Sequence, residues 1–193
     1  MARNEETDSA QRIPAAAAMI VDLLNTRPHG ADDLFPEALD TAEEAGAALC
    51  PFGESDTAAP TPERIAEVRG LRTILMDLVS APDGAETAAR RAELTERASS
   101  VTLRQDFSEP GKVLLRQVDG DPVVGGITRT VAELMADGTW SRIRVCDNEG
   151  CRHVFYDTTR SRTQRWHSYA TCGNRSNVAS YRARKKAGPE VRP

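Results

Sequence analysis

No run of apolar residues in this chain approaches the roughly 20 that a membrane helix needs. The nearest candidate, A-A-A-A-M-I-V-D-L-L, is interrupted by Asp22 and follows an acidic leader, so it is a poor signal peptide as well. The expectation is a soluble, cytoplasmic protein with no membrane partner. A Gly-rich phosphate loop and an H-E-x-x-H pair are also missing, which removes two common catalytic readings. No internal repeat is visible, so a repeat architecture is set aside. His29 stands alone, without a nearby Cys or an evident Ser nucleophile, and we expect no enzyme. Cysteine and histidine are scarce, at four and three among 193 residues. Three of the cysteines nevertheless fall close together, which in a reducing compartment reads as metal ligation; Cys50 is left as a lone thiol, expected to be buried.

The cluster has a regular spacing. Cys146 and Cys151 are separated by four residues, 15 residues follow, and His167 and Cys172 are again separated by four. Structural zinc takes four tetrahedral ligands from Cys and His, commonly as two close pairs on separate turns. Cys146, Cys151, His167 and Cys172 are therefore the expected ligands of one structural Zn2+. Four protein ligands leave no open position for a catalytic water, which again argues against an enzyme. His153 is the rival ligand. It lies two residues past Cys151 and has no counterpart in the second pair, whereas His167 repeats the first pair's spacing; His153 is read as a surface or phosphate-contacting residue.

A net charge of -4 conceals a division along the chain. Residues 141–193 hold 12 Lys and Arg against 4 Asp and Glu, a balance of +8, which leaves 13 against 25, or -12, for residues 1–140. Such asymmetry suggests that the short basic end meets a polyanion.

Residues 1–12 are polar and expected to be a disordered leader. Helices are expected from Pro14 to Asn25, with Met19, Ile20, Leu23 and Leu24 inward, and from Pro36 to Leu49. Cys50 to Pro60 reads as a loop. Thr61 caps a third helix, with Pro62 in its first position and a stripe of Ile65, Val68, Leu71, Leu75, Leu78 and Val79. After the turn Pro82-Asp83-Gly84 a fourth runs to about Ser99. Val101, Leu103 and Phe107, the turn Pro110-Gly111, and Val113 to Val118 read as a β-hairpin. Asp121-Pro122 opens a helix that buries Val123, Ile127, Val131, Leu134 and Met135 and closes at Gly138. From about Trp140 the chain has few aliphatics and many Arg; it cannot fold unaided and needs a staple. Asp22, Asn25, Thr26 and Arg27 gather at the end of the first helix, as a cap and turn or as part of a small-ligand pocket.

Three stretches carry a family resemblance: C-D-N-E-G-C-R-H-V-F-Y-D, the Arg-rich T-T-R-S-R-T-Q-R-W, and C-G-N-R followed by a basic helix. They resemble the CGNR zinc finger. V-D-L-L-N-T, Val21 to Thr26, resembles the opening of the helical ABATE domain that precedes this finger in its family. The resemblance implies a bacterial, stress-induced transcription regulator that binds DNA. Where the family has Trp-Cys-Ser-Met, this chain has Trp166-His167-Ser168-Tyr169, so the third ligand would be His in place of Cys. The implied organisation is a leader over 1–12, an ABATE-like helical domain over 13–139, the finger over 140–187 and a tail over 188–193. The fold class is mainly α with a β-hairpin (α+β), the finger itself being a hairpin and helix, treble-clef- or ribbon-like.

Within that finger we expect Phe155 and Tyr156 on a small hairpin after the first ligand pair, with Trp166 on its return. A helix should run from about Gly173 to Lys185 or Lys186, with Val178 and Tyr181 turned towards the finger. Arg175, Arg182 and Lys186 share one of its faces. With Arg184 and Lys185, and with Arg160, Arg162 and Arg165 of the preceding loop, they are candidate phosphate contacts, and Asn174 and Asn177 can reach base edges. Asn174 and Arg175 are equally suited to bonding within the metal turn. Duplex DNA is the first expectation for a partner, RNA the alternative, and a protein-interaction module without nucleic acid a third. The larger domain is expected to sense a ligand or bind a partner, and the sequence leaves the oligomeric state open.

Overall fold

The computed structural model describes residues 13–31, 34–53, 59–81 and 86–187, apart from the side chains of residues 179, 180, 183, 184, 186 and 187. The expected leader (1–12), residues 54–58 of the expected loop, the turn Pro82-Asp83-Gly84 and the tail (188–193) lie outside the described residues. The order is α1 (Ala15–Asn25), α2 (Ala42–Leu49), α3 (Pro62–Ser80), α4 (Thr87–Ala98), β1 (Thr102–Asp106), β2 (Leu114–Asp119), α5 (Pro122–Ala136), β3 (Ile143–Val145), β4 (Val154–Tyr156) and α6 (Asn174–Ala187). Two separate antiparallel hairpins, β1–β2 and β3–β4, accompany the helices, an α+β arrangement.

Local chemistry explains most boundaries. The Thr61 hydroxyl accepts from Arg64 N–H and Pro62 occupies the first position of α3. The Asp121 carboxylate accepts from the Val123 and Val124 N–H groups and Pro122 starts α5. The expected helix from Pro36 is shorter than its composition suggests. A tight turn, Ala38–Asp40, comes first, and the Thr41 hydroxyl then caps α2 through Glu44 N–H. Glu37 and Asp40 are held instead by Arg72 and Arg69, so long-range ion pairs fix this stretch outside the helix.

The core is built from α1, α3 and α5. Ile20, Leu23 and Leu24 meet Val68, Leu71, Ile74 and Leu75, with Val123, Ile127, Val131 and Leu134 against both. Each such side chain, fully buried, contributes about 1.5–3 kcal/mol. Met135, expected inside, is exposed, and Thr130 takes an inward position, its hydroxyl bonded to Gly126 O. Two glycines let α5 come close. A Cβ on Gly126 would lie 2.1 Å from Phe52 O, and one on Gly125 would lie 2.0 Å from Gln117 Oε1. Cys50, expected to be buried, is exposed because it begins a short turn that carries Phe52 inward in its place.

In the first hairpin Leu103 pairs with Gln117 and Gln105 with Leu115. Phe107 lies past the strand end and is exposed, as are Val113 and Val118. The change of composition near Trp140 is not an end of packing. Ile143 and Val154, from β3 and β4, are buried in the same core as α1 and α3. The hydrophobic stripe of the N-terminal helices therefore continues into the Arg-rich segment.

Candidate metal centre

β3 runs directly into Cys146, and β4 leaves three residues after Cys151. The strands pair Ile143 with Tyr156, Arg144 with Phe155 and Val145 with Val154. The first ligand pair thus occupies the connection of the second hairpin. Trp166, expected on a returning strand, lies in a loop, because the partner of β4 precedes the ligands. Cys146 N–H donates to His153 O at 2.8 Å, and Cys151 N–H to Asn148 O at 2.8 Å, curling the backbone round both thiols. Arg152 takes φ +57° at the exit of this turn.

The second pair sits on a wider turn. Ser168 accepts from Thr171 N–H, and its carbonyl accepts from Cys172 and Gly173 N–H, opening a π-type turn over Tyr169–Gly173 that passes into α6. Gly173 has no room for a side chain: a Cβ would lie 2.7 Å from the Tyr169 ring and 3.2 Å from Trp166. Asn174 donates to Ala170 O at 3.0 Å. The C-G-N run is therefore spent on shaping the metal turn.

Cys146, Cys151, His167 and Cys172 bring one ligand atom each to within 4.8 Å of one another. His167 Nδ1 is 3.4 Å from Cys151 Sγ and 3.7 Å from Cys172 Sγ. Zinc bonds of about 2.3 Å to sulfur and 2.0–2.1 Å to nitrogen give a tetrahedral S···N edge of about 3.6 Å. The donor set and its spacing therefore fit one structural zinc. Cys146 and Cys172 are buried, with Phe155 and Trp166 packed round them. Burial, and then the neighbouring cysteines, push the Cys151 thiol up to about 12; three thiolates converge here only round a divalent cation. Burial holds His167 below its ordinary value, so its imidazole is neutral, as ligation requires.

His153 is half-buried and lies behind the ligands. Its ring packs against His167 at 4.8 Å and against His29 at 5.2 Å. His29, which stands alone in the sequence, has company in space: its Nε2 meets His153 Nδ1 at 3.0 Å and its Nδ1 meets Arg27 O at 2.8 Å. Burial, then His167 and His29, bring His153 down to about 4. With His29 also lowered by burial, both rings are neutral. A carbonyl only accepts, so Arg27 O fixes the proton on His29 Nδ1, and His153 Nδ1–H donates to His29 Nε2.

Asn25, Thr26 and Arg27 are each engaged. Asn25 bonds both backbone groups of Val154, Thr26 Oγ1 donates to Leu23 O and accepts from Arg72, and Arg27 donates to Leu24 O and Arg152 O. Sequence reasoning missed the grip of Asn25, His29 and Gly30 on the finger. More than 120 positions separate the partners, and no local pattern announces it.

The Arg-rich loop is organised from beneath by Asp157, which is fully buried. Its carboxylate accepts from Thr159 N–H and Oγ1 at 2.8 and 2.5 Å and from Gln164 N–H at 3.0 Å. Burial works to raise this acid's pKa, but the bonds from Thr159 and Gln164 and the charge of Arg144 outweigh it. Arg160 is exposed on the loop. Arg162 is exposed too, at φ +53°, and reaches Ser141. Arg165 pairs with Asp147 at 2.7 Å and lies 4.9 Å over the Trp166 ring. On α6, Arg175, Arg182 and Lys185 are exposed; the side chains of Arg184 and Lys186 lie outside the described residues. Val178 and Tyr181, expected to face the finger, are exposed, and Asn177 donates to the Tyr169 hydroxyl. α6 packs chiefly against the metal turn from which it leaves, so these two side chains stay in solvent.

This is a closed Cys3His centre uniting a strand-flanked knuckle with a helix-leading turn, the build of a structural zinc finger. Residues 142–185 match the family model of the CGNR zinc finger, and this part of the chain is a zinc-binding CGNR finger. No curated protein matches the chain.

Proposed function

We propose that the finger binds duplex DNA through α6 and the Arg-rich loop, in a cytoplasmic bacterial transcription regulator of the stress-responsive kind. The observation that carries this reading is the outward cationic face of α6. Arg175, Arg182 and Lys185 are exposed on a helix whose first turn is fastened to the metal by Cys172. A short helix held rigidly at one end suits the major groove. Exposed Arg160 and Arg162 extend the positive surface, and residues 1–140 carry a net charge of -12, which does not favour phosphate there.

The N-terminal helical part, read as ABATE-like, serves for sensing or interaction; exposed Phe107, Val113 and Val118 on the first hairpin support an interaction role. The reading is non-enzymatic. Four protein ligands leave a bound zinc no site for water, and the Asp157 carboxylate is already committed to Thr159 and Gln164. Among the described residues no helix is long and apolar enough to cross a membrane.

RNA is the second reading, favoured by Tyr169 and Tyr181, which are 62% and 60% exposed and able to stack on unpaired bases. Zinc-loaded protein titrated with duplex DNA, single-stranded DNA and RNA, each at several salt concentrations, tests the proposal. Duplex should win, with log affinity falling against log salt at a slope of about -5 if some six phosphates are neutralised. Preference for unpaired strands would favour RNA. No binding even at low salt would leave a zinc-stabilised protein-interaction module.

A further inference from the structure

The four ligands all come from the C-terminal segment, yet residues 25–30 reach the centre at three points. Gly30 N–H donates to Cys151 O at 3.0 Å, from a glycine at φ +89°, a conformation that other residues rarely adopt. Asn25 accepts from Val154 N–H and donates to Val154 O, both at 2.8 Å, on the strand leaving Cys151. His29 holds His153, whose ring packs on the ligand ring of His167. Phe35 completes this row by stacking on His29 at 4.7 Å, with the two rings 15° apart.

We infer that the segment from Asn25 to Gly30 is a supporting shell of the zinc centre, positioning Cys151 through its backbone and His167 through the row of rings. The outgoing limb of the first pair needs such help, since the β3–β4 ladder has only three residue pairs. A hairpin that short does not hold its shape alone in water. Ligands already in place forfeit less chain entropy when the ion binds, and an imidazole whose tilt is fixed donates along a better line. Zinc affinity is then partly a property of the end of α1, more than 100 residues before the first ligand. By linkage, the ion stabilises that end of α1 in return.

The test uses the full chain, competing for zinc against a chromophoric chelator near neutral pH. Asn25→Ala and His29→Leu should each weaken zinc binding by about 10–100-fold with all four ligands intact, the range seen when outer-shell partners of metal ligands are removed. His29→Gln, which keeps an acceptor for His153, should recover part of that loss. The visible bands of cobalt-substituted His29→Leu should shift as the His167 ring loses its support. Leu49→Ala, which opens a cavity in α2 away from the finger, serves as the control: it should lower thermal stability and leave zinc affinity unchanged. Affinities within about twofold of wild type in the Asn25 and His29 variants, with unmoved cobalt bands, would overturn the inference. So would a loss in Leu49→Ala as large as that in His29→Leu, because global stability would then account for everything. Should Asn25→Ala or His29→Leu not fold, His29→Gln decides: zinc binding weakened severalfold at wild-type thermal stability, with shifted cobalt bands, supports the ring row, and full affinity with unmoved bands counts against it.

Discussion

Asn25, the last residue of α1, bonds both backbone groups of Val154 at 2.8 Å, acting as a strand partner across 129 positions of sequence. Val154 is fully buried, so neither of its backbone groups has water to fall back on. Asn25→Ala should therefore cost about 2–3 kcal/mol, near the penalty for stranding buried polar groups. In a chain of this size that lowers the melting temperature of zinc-loaded protein by roughly 4–12 °C. Asn25→Asp, which keeps only the acceptor, should fall between. A melting curve for Asn25→Ala that overlays the wild type would show the clamp to be idle.

The two candidate histidines are separable by counting metal. His167→Ala should lose bound zinc on dialysis and loosen residues 142–185, because its Nδ1 is one corner of the tetrahedron. His153→Ala should still hold one equivalent at saturating zinc. Elemental analysis per mole of protein, with circular dichroism, distinguishes them. One equivalent in His167→Ala and none in His153→Ala would reverse the ligand assignment.

What the sequence discloses about this molecule follows the range of the interactions. The Thr61-Pro62 start of α3, the Asp121-Pro122 start of α5 and the two ligand pairs are set by residues within a turn of one another, and spacing alone locates them. The second hairpin is harder. Val154 to Tyr156 pair backward with Ile143 to Val145, and nothing in the spacing says that the metal turn lies inside the hairpin. Cys50 and Phe52 show a similar limit: both are plausible inside, and the turn that exposes one and buries the other depends on α5 lying against it. The grip of Asn25, His29 and Gly30 on the finger is entirely long-range, so a sequence scan reads their polar atoms as a cap, a solitary histidine and a turn.

Arg72 and Glu37 form a bidentate pair, 2.7 and 2.5 Å, and Arg72 also reaches Thr26 at 2.7 Å. Burial pushes the Glu37 carboxyl up, but Arg72 more than offsets this and holds it below its ordinary 4.5. A carboxylate with a depressed pKa stabilises the fold above 4.5, and that contribution disappears as pH falls through the lowered value. Arg72→Met leaves the carboxylate without its partner and should cost about 3 kcal/mol at neutral pH, the low end for breaking a buried pair because Glu37 is only half-buried. As pH falls from 4.5 through that lowered value the gap between variant and wild type should close, since both carboxyls become protonated. Urea titrations at several pH values measure it; a gap that stays constant down to pH about 3 would mean that the charge contributes nothing.

Gly126 gives a prediction with no electrostatic part. A methyl group there meets the Phe52 carbonyl at 2.1 Å, a backbone atom that cannot rotate away. Gly126→Ala should therefore destabilise by about 1–3 kcal/mol through overpacking, despite the better helix propensity of alanine. Thermal unfolding decides the sign: a rise in melting temperature would mean that α5 and the Phe52 turn can part at little cost.

The cationic face of α6 makes a prediction about ions as much as about DNA. If Arg175 and Arg182 each neutralise one phosphate, the double change to Ala removes two released counterions. The slope of log affinity against log salt should then shrink by about 1.8. Affinity should fall uniformly across duplex sequences, because phosphate contacts carry no base information. Asn174→Ala should behave differently. Its side chain bonds Ala170 O inside the metal turn, so its removal should lower zinc retention before it changes any salt slope. A double Arg variant with an unaltered slope would move the binding surface off α6 and onto the loop that Asp157 supports, where Arg160 and Arg162 would be the next residues to change.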